Sequence, residues 1–318
     1  MDISIVIPVF DEMESLPQLH REIHQAMSAL SMQWEIVYVD DGSRDQSLKV
    51  LKELASQDGE HTRVVALRRN YGQTAAIAAG IDNTKGDIIV LMDADLQNDP
   101  ADIPMMLEKL EQGYDVVSGW RIDRQDNFLT RTLPSRIANK LISWVTQVHL
   151  HDYGCTLKIY RRDFLTGFRL YGEMHRFIPA YAGYVGAKVT EVPVHHRERK
   201  HGQTSYGLER TIKVILDLFT VKFLISYGRK PIYLFGGTGI GLMGVGSLML
   251  LFIVVRRLVT KVSVFDSGFF PVAVMFMILG FQSILMGLIA ELQVRTYYEA
   301  QSKPTYTVRE VINGLTDD

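Results

Sequence analysis

VLMDADLQNDP, residues 90–100, is an apolar run that ends in acids. Asp93 and Asp95 stand one residue apart at the exit of what reads as a buried strand. Two carboxylates that close repel unless a cation lies between them or water surrounds them. In extended chain alternate side chains share a face, so both acids face one point. Hard oxygen ligands with an incomplete shell suit Mg2+ or Mn2+ shared with substrate phosphates. What the pair is for depends on the elements around it.

Outward from this run, Ile3–Phe10, Trp34–Val39, Val64–Leu67, Asp87–Met92 and Tyr114–Gly119 read as apolar strands. Glu14–Leu30, Asp45–Ser56, Gln73–Asp82 and Ala101–Gln112 read as the helices between them, with Ser43 or Asp45 as N-cap of the second. The alternation predicts an α/β fold, a Rossmann-like, mostly parallel sheet with helices on both faces. Ligands of such sheets bind at the carboxyl ends of the strands. Polar residues gather there: Pro8, Phe10, Asp11 and Glu12 after the first strand, Asp40 and Asp41 after the second, Asp93 and Asp95 after the fourth, Trp120 and Arg121 after the fifth. A dinucleotide oxidoreductase needs a glycine-rich turn after a strand, and VFDEMES follows the first strand instead.

The 318 residues carry a formal net charge of −2, which does not point to nucleic acid. Cys155 is the one cysteine, so an internal disulfide framework and a cysteine-rich zinc site are excluded. MDISIVIPVF reads directly as a strand, and no secretory signal is expected. The chain is segregated. Ile232–Val255 and Ser267–Ala290 are uncharged and long enough to span a bilayer. Arg256, Arg257 and Lys261 lie between these spans. Lys213, Lys222, Arg229, Lys230, Arg295, Lys303 and Arg309 flank them, seven positives against three. The positive-inside rule then puts the large domain and both termini in the cytoplasm, with the chain integral to the cell (inner) membrane. Gly237 with Gly241, and Ser283 with Gly287, are small-residue pairs suited to close helix packing. Thr211–Tyr227 has a narrow polar stripe and fits a helix in the membrane interface, and Leu133–Val148 repeats the idea more weakly. The expected divisions are 1–209 catalytic, 210–230 interfacial, 231–291 hairpin and 292–318 tail. Within the tail, Thr305–Val311 alternates like a strand that pairs with a neighbour.

IVIPVFDE, VDDGSRDQS, LRRNYGQTAA, LMDADLQNDP and SGWR, in that order, resemble the inverting nucleotide-sugar glycosyltransferases of family two. The two spans and the R-x-x-x-x-G-x-[ST] stretch at Arg197–Thr204 narrow the resemblance to polyisoprenyl-phosphate glycosyltransferases, similar to dolichyl-phosphate mannosyltransferase and to bacterial bactoprenol glucosyltransferases. The resemblance implies a GT-A fold, a nucleotide-sugar donor (UDP-glucose), an undecaprenyl-type phosphate acceptor, Mg2+ or Mn2+, and a homo-oligomer, a tetramer. It implies that Pro8, Phe10 and Glu12 line the base and ribose, that Asp40 bonds the base, and that Gly72 and Gln73 lie along the nucleotide. Asp93, Ala94, Asp95 and Gln97 would form the metal and diphosphate site, with Asp93, Asp95 and Gln97 as ligands. Arg197 would reach the diphosphate, with Lys200, Gly202 and Ser205 in the same loop. Arg121, Arg131 and Ser135 would hold the acceptor phosphate.

A phosphate monoester is largely dianionic at neutral pH, its second pKa being about 6, so its attack on an anomeric carbon needs no strong base. Asp152 is then an acid that orients acceptor or sugar rather than one that must take a proton. Forked guanidinium groups suit the phosphate oxygens on either side of the transfer. His149, His151, His195, His196 and His201 are numerous, but adjacent histidines on a strand point to opposite faces. The alternatives are a processive polysaccharide synthase, whose Q-x-x-R-W stretch is absent here, and a membrane scaffold with a transferase-like domain.

Overall fold

The computed structural model describes residues 1–122, 139, 142–143, 146–165, 174–197, 232–261, 263–265, 267–300 and 306–313. It divides into two compact units, Met1–Val221 with Pro304–Asp318, and Lys222–Lys303.

The first unit opens with β1 (Ile3–Val9), α1 (Leu16–Met27), β2 (Trp34–Asp40), α2 (Ser47–Gln57), β3 (Thr62–Leu67), α3 (Gln73–Asp82), β4 (Ile88–Leu91), α4 (Ile103–Glu111) and β5 (Val116–Trp120), the alternation expected from the sequence. Two starts differ in detail. Gln46 precedes α2 without a side-chain cap, and Asp45 Oδ1 instead accepts the Ser47 N–H at 2.9 Å. A 3₁₀ turn, Pro100–Asp102, leads into α4, and Asp99 accepts the Ala101 N–H at 3.0 Å.

The sheet is wider than the alternation predicts. Its order is β7-β5-β6-β4-β1-β2-β3-β8, with β6 (Lys158–Arg161), β7 (Val189–Pro193) and β8 (Val308–Ile312) added, and α5 (Ile178–Tyr184) lies between β6 and β7 in the chain. β1, β2, β3 and β4 pair in parallel. β6 inserts antiparallel between β4 and β5, so these strands are not neighbours. β8 pairs antiparallel with β3 in register Val65↔Val311, so the partner of the tail strand is its own sheet. Tyr306 donates to Asp82 at 2.7 Å, and the Asn313 amide donates to the Ala55 and Thr62 carbonyls at 2.9 Å. The strand thereby pairs the β3 edge and becomes the outermost strand on that side of the sheet.

Both faces of the sheet are buried. Leu16, Leu19, Ile23 and Met27 of α1 join Leu51 of α2 and Ile103, Met106 and Leu110 of α4 in one apolar cluster. Ala75, Ala76 and Ala79 of α3 pack against Val37, Val39 and Val65 in another. The alanine-rich sequence of α3 has a packing reason: a Cβ on Gly80 would stand 2.3 Å from Val6 Cγ1.

The second unit contains α6 (Ile232–Thr260) and α7 (Phe269–Ala300). The spans Ile232–Thr260 and Phe269–Ala290 have mean hydropathies of 2.2 and 2.3 and are long enough to cross a membrane. Large apolar side chains such as Phe252, Leu258 and Phe281 point outward. The helices meet through Gly239 and Gly280, where an added Cβ would lie 2.6 Å from the partner's carbonyl oxygen. Ser283 donates to the Phe235 carbonyl at 2.8 Å. Of the small residues singled out, Ser283 and Gly287 lie in this contact, whereas Gly237 and Gly241 have open space around them.

Candidate active site

The carboxyl ends of β1, β2 and β4 carry loops tied to one another by side-chain to backbone hydrogen bonds. Asp11, at φ +55°, accepts the Arg44 N–H at 2.6 Å, and Ser43 Oγ accepts the Asp11 N–H at 3.1 Å. The Glu12 N–H donates to Ser47 Oγ at 3.0 Å, and the Glu12 carboxylate accepts from Ser15 Oγ at 3.0 Å. Phe10 is half-buried with the Arg44 guanidinium 5.9 Å from its ring centre, and Pro8 is half-buried opposite Val39.

After β2, Asp40 and Asp41 are both buried, and burial raises both carboxyls above their ordinary value. Asp40 accepts the Ser43 N–H at 3.3 Å. Asp41, which the sequence reading leaves out of the site, accepts the N–H groups of Tyr71 and Gly72 at 2.7 and 2.9 Å and so pins the loop that starts α3. Gly42 is required at the crossing: its φ is +70°, and a Cβ there would stand 2.5 Å from the Arg69 carbonyl carbon.

Gly72 (φ +94°) places Gln73 at the start of α3, and Gln73 Nε2 donates to Asp93 Oδ1 at 2.7 Å. Asp95 is buried, and its Oδ1 accepts the Gln97 N–H at 3.1 Å across Leu96, which sits at φ +63°. Ala94 and Leu96 point the other way, into the apolar core, so Ala94 offers the site backbone rather than side chain. Burial first, then repulsion from Asp95, pushes the Asp93 carboxyl up to about 6, against the opposing pull of Thr156, Arg121 and Lys158. With Asp95 two residues on, Asp93 makes a hard-oxygen donor set fitted to a divalent cation.

Arg121 and Asp152 form a nearly buried two-point ion pair, Nε to Oδ2 at 2.7 Å and Nη2 to Oδ1 at 3.0 Å. The two were expected in separate roles, and the structure joins them. Beside them lies Lys158 on β6, buried, with its ammonium on the Tyr153 carbonyl at 3.2 Å and on that of Cys155. Burial lowers this lysine to about 8 and raises the Cys155 thiol to about 11. Trp120 stacks on His151 with ring centres 4.4 Å apart, and His151 pairs with Glu191.

Arg197 lies next to the acids through its backbone, donating its N–H to the Gln97 carbonyl at 2.9 Å. Its guanidinium is engaged elsewhere, with Glu22 and Asp99 at 2.6 Å each. His195, one of the numerous histidines of the sequence, is exposed and closes this segment on Asp102 at 2.7 Å. Arg131, Ser135, Lys200, Gly202 and Ser205 lie outside the described residues, as does the expected interfacial helix at 210–230. Lys158 gives no signal in the sequence because a four-residue antiparallel strand leaves no periodic pattern, and Thr156 lies in the loop before it.

The model of glycosyl transferase family 2 matches residues 4–168. The chain is 41% identical over 316 residues to the dodecaprenyl-phosphate galacturonate synthase of Rhizobium johnstonii, covering 98% of this chain and 94% of the relative. It is 39% identical over 313 residues to the undecaprenyl-phosphate 4-deoxy-4-formamido-L-arabinose transferase of Pseudomonas fluorescens, covering 98% and 90%. Among solved structures, glucosyl-3-phosphoglycerate synthase from Mycobacterium tuberculosis, in complex with Mn2+ and UDP-glucose, superposes with a TM-score of 0.53 at 17% identity, over 70% of this chain and 78% of that one.

Proposed function

The chain belongs to glycosyl transferase family 2 and is a polyprenyl-phosphate sugar transferase; on that premise we propose that its donor is a nucleotide-diphosphate sugar seated at the carboxyl ends of β1, β2 and β4. The observation that carries this reading is the Asp93–Asp95 pair, ordered by Gln73 and by the Gln97 backbone at a strand exit. Pro8, Phe10, Glu12, Asp40, Gly72 and Gln73 lie around the same edge and are the proposed nucleotide contacts. Asp93 and Asp95, with Gln97, would hold Mg2+ or Mn2+, which when bound supplies positive charge to the departing diphosphate.

The acceptor phosphate dianion forms the new bond to the anomeric carbon as the bond to the diphosphate oxygen breaks, with inversion. No proton need leave the nucleophile, so Asp152 is not required as a base. Its carboxylate instead neutralises and orients Arg121, which we assign to the acceptor side. Arg197 would engage the diphosphate by exchanging its bonds to Glu22 and Asp99 for phosphate oxygens. Arg131 and Ser135 on the acceptor, and Lys200 and Ser205 beside Arg197, keep the roles that the resemblance implies. The hairpin would anchor the enzyme in the inner membrane with the catalytic unit cytoplasmic, where a lipid phosphate meets soluble nucleotide sugars. A homo-oligomer, tetrameric by resemblance, belongs to the same proposal.

Glucose was the expected sugar. The names of the two relatives specify galacturonate and 4-deoxy-4-formamido-L-arabinose, and we propose a sugar of that kind, a uronic acid or a formamido-pentose, carried on UDP. The test is incubation of detergent-purified protein with undecaprenyl phosphate, Mg2+ or Mn2+, and a radiolabelled panel of UDP-galacturonate, UDP-4-deoxy-4-formamido-L-arabinose and UDP-glucose, followed by organic extraction. Label is expected in the lipid phase from one of the first two. Transfer from UDP-glucose alone would restore the original expectation, and aqueous label with every donor would remove the reading.

A further inference from the structure

The opposite edge of the sheet, at the amino ends of β2 and β3, holds a second cluster of ligating side chains. His20 and His24 stand four residues apart on α1, with ring centres 4.6 Å apart. This spacing puts two imidazoles on one helix face, as helix-borne zinc ligands require. Asp58, which directly follows α2, turns its carboxylate to both: Oδ2 lies 2.9 Å from His24 Nε2 and 3.8 Å from His20 Nε2. One ligand atom from each of the three residues falls within 4.8 Å of the others. Bonds of about 2.0–2.1 Å in a tetrahedral zinc site put ligand atoms roughly 3.3 Å apart, and the observed separations bracket that value.

The surroundings resemble the outer shell of a metal site. His20 Nδ1 meets the Tyr38 hydroxyl at 3.3 Å; with the proton on Nδ1, the Nε2 lone pair points at the cluster. Asp58 Oδ1 is held by His61 Nδ1 at 3.0 Å, and Thr62 Oγ1 donates to Oδ2 at 2.7 Å. His61 is fixed by stacking on Trp34 with ring centres 4.2 Å apart.

We propose that His20, His24 and Asp58 form a zinc-binding site, with His61 and Tyr38 as its outer shell, that clamps α1 to the α2–β3 connection on the edge away from the transferase site. Two imidazoles and a carboxylate suit Zn2+ better than Mg2+, and three protein ligands leave one position for water.

The test uses tag-free, full-length protein in detergent, stripped with chelator and titrated with Co2+, whose visible absorption reports tetrahedral coordination, and then with Zn2+ in competition. The wild type is expected to bind one Co2+ with a visible band that Zn2+ abolishes, and its thermal midpoint is expected to rise with Zn2+. D93N/D95N should retain both responses. H20Q/H24Q should lose both, while its Mg2+-supported transferase activity stays at the wild-type level. H24Q alone, at a partly exposed position, serves if the double variant fails to fold, and His61→Gln should weaken Zn2+ binding about 10-fold or more. No band in the wild type, a band that survives in the histidine variants, or one lost in D93N/D95N would overturn the proposal.

Discussion

At the residue scale, the charges of the transferase site hold one another in uneasy balance. Asp93 titrates from an ordinary value of 3.8 up to about 6, so the folded protein keeps a proton that the unfolded chain releases in that interval. The contribution of Asp93 to the stability of the metal-free protein is therefore fully present below about pH 4 and is lost as pH rises through about 6, and a bound divalent cation reverses that penalty. Asp93→Asn is expected to flatten this slope and to raise the melting temperature of chelator-treated protein at pH 7 by ~2–4 °C. The same variant should lose about 100-fold or more in turnover. Thermal scans across pH 4–8 and the lipid-transfer assay check the two halves together. The Arg121–Asp152 pair makes a different demand. Removing Arg121 leaves a buried carboxylate without its partner, at a cost of ~3–5 kcal/mol. Arg121→Ala should therefore destabilise more than Arg121→Ala/Asp152→Ala does. A urea-unfolding double-mutant cycle measures that coupling, and simple additivity would show that the pair has no structural role.

At the element scale, two devices shape the molecule where no charge is involved. The tail strand β8 docks on β3 and is held by the Asn313 amide and by Lys52–Glu310 at 2.8 Å, so a segment remote in sequence finishes the sheet. In the hairpin, α6 and α7 approach backbone to backbone at Gly239 and Gly280. A side chain at Gly239 must push the helices apart, an overpacking cost of about 1–3 kcal/mol, whereas Gly237 has room for one. Thr238 and Ser283 hydroxyls lie 3.0 Å apart, which makes T238C/S283C a reporter of the contact. Oxidative cross-linking of that pair is expected to survive Gly237→Leu and to fall sharply with Gly239→Leu. Equal loss in both would mean that the helices meet on another face.

At the scale of the whole molecule, the chain has two helices long and apolar enough to cross a membrane and a tail strand that pairs with β3 of the catalytic unit. The seven flanking positives against three in the connecting loop support the proposal that the catalytic unit is cytoplasmic. Cys155 is buried, so the wild type offers little background for thiol labelling. With a membrane-impermeant maleimide on intact spheroplasts, Lys261→Cys is expected to label and Glu111→Cys to label only after permeabilisation. The reverse pattern would invert the orientation and move the donor site away from cytoplasmic nucleotide sugars.

The alternation of strands and helices, the two apolar spans and the exit of Asp93 and Asp95 from β4 were all legible in the amino-acid order. Each is written in a local period, a run length or a spacing of two, and burial on both faces of a parallel sheet makes that signal strong. The antiparallel insertion of β6, the return of β8, the joining of Arg121 to Asp152 and the engagement of Arg197 by Glu22 and Asp99 were not. These contacts link residues from about thirty to more than two hundred positions apart. No local period records such a meeting, because long-range pairing is chosen only when the packed sheet brings the edges and buried charges together.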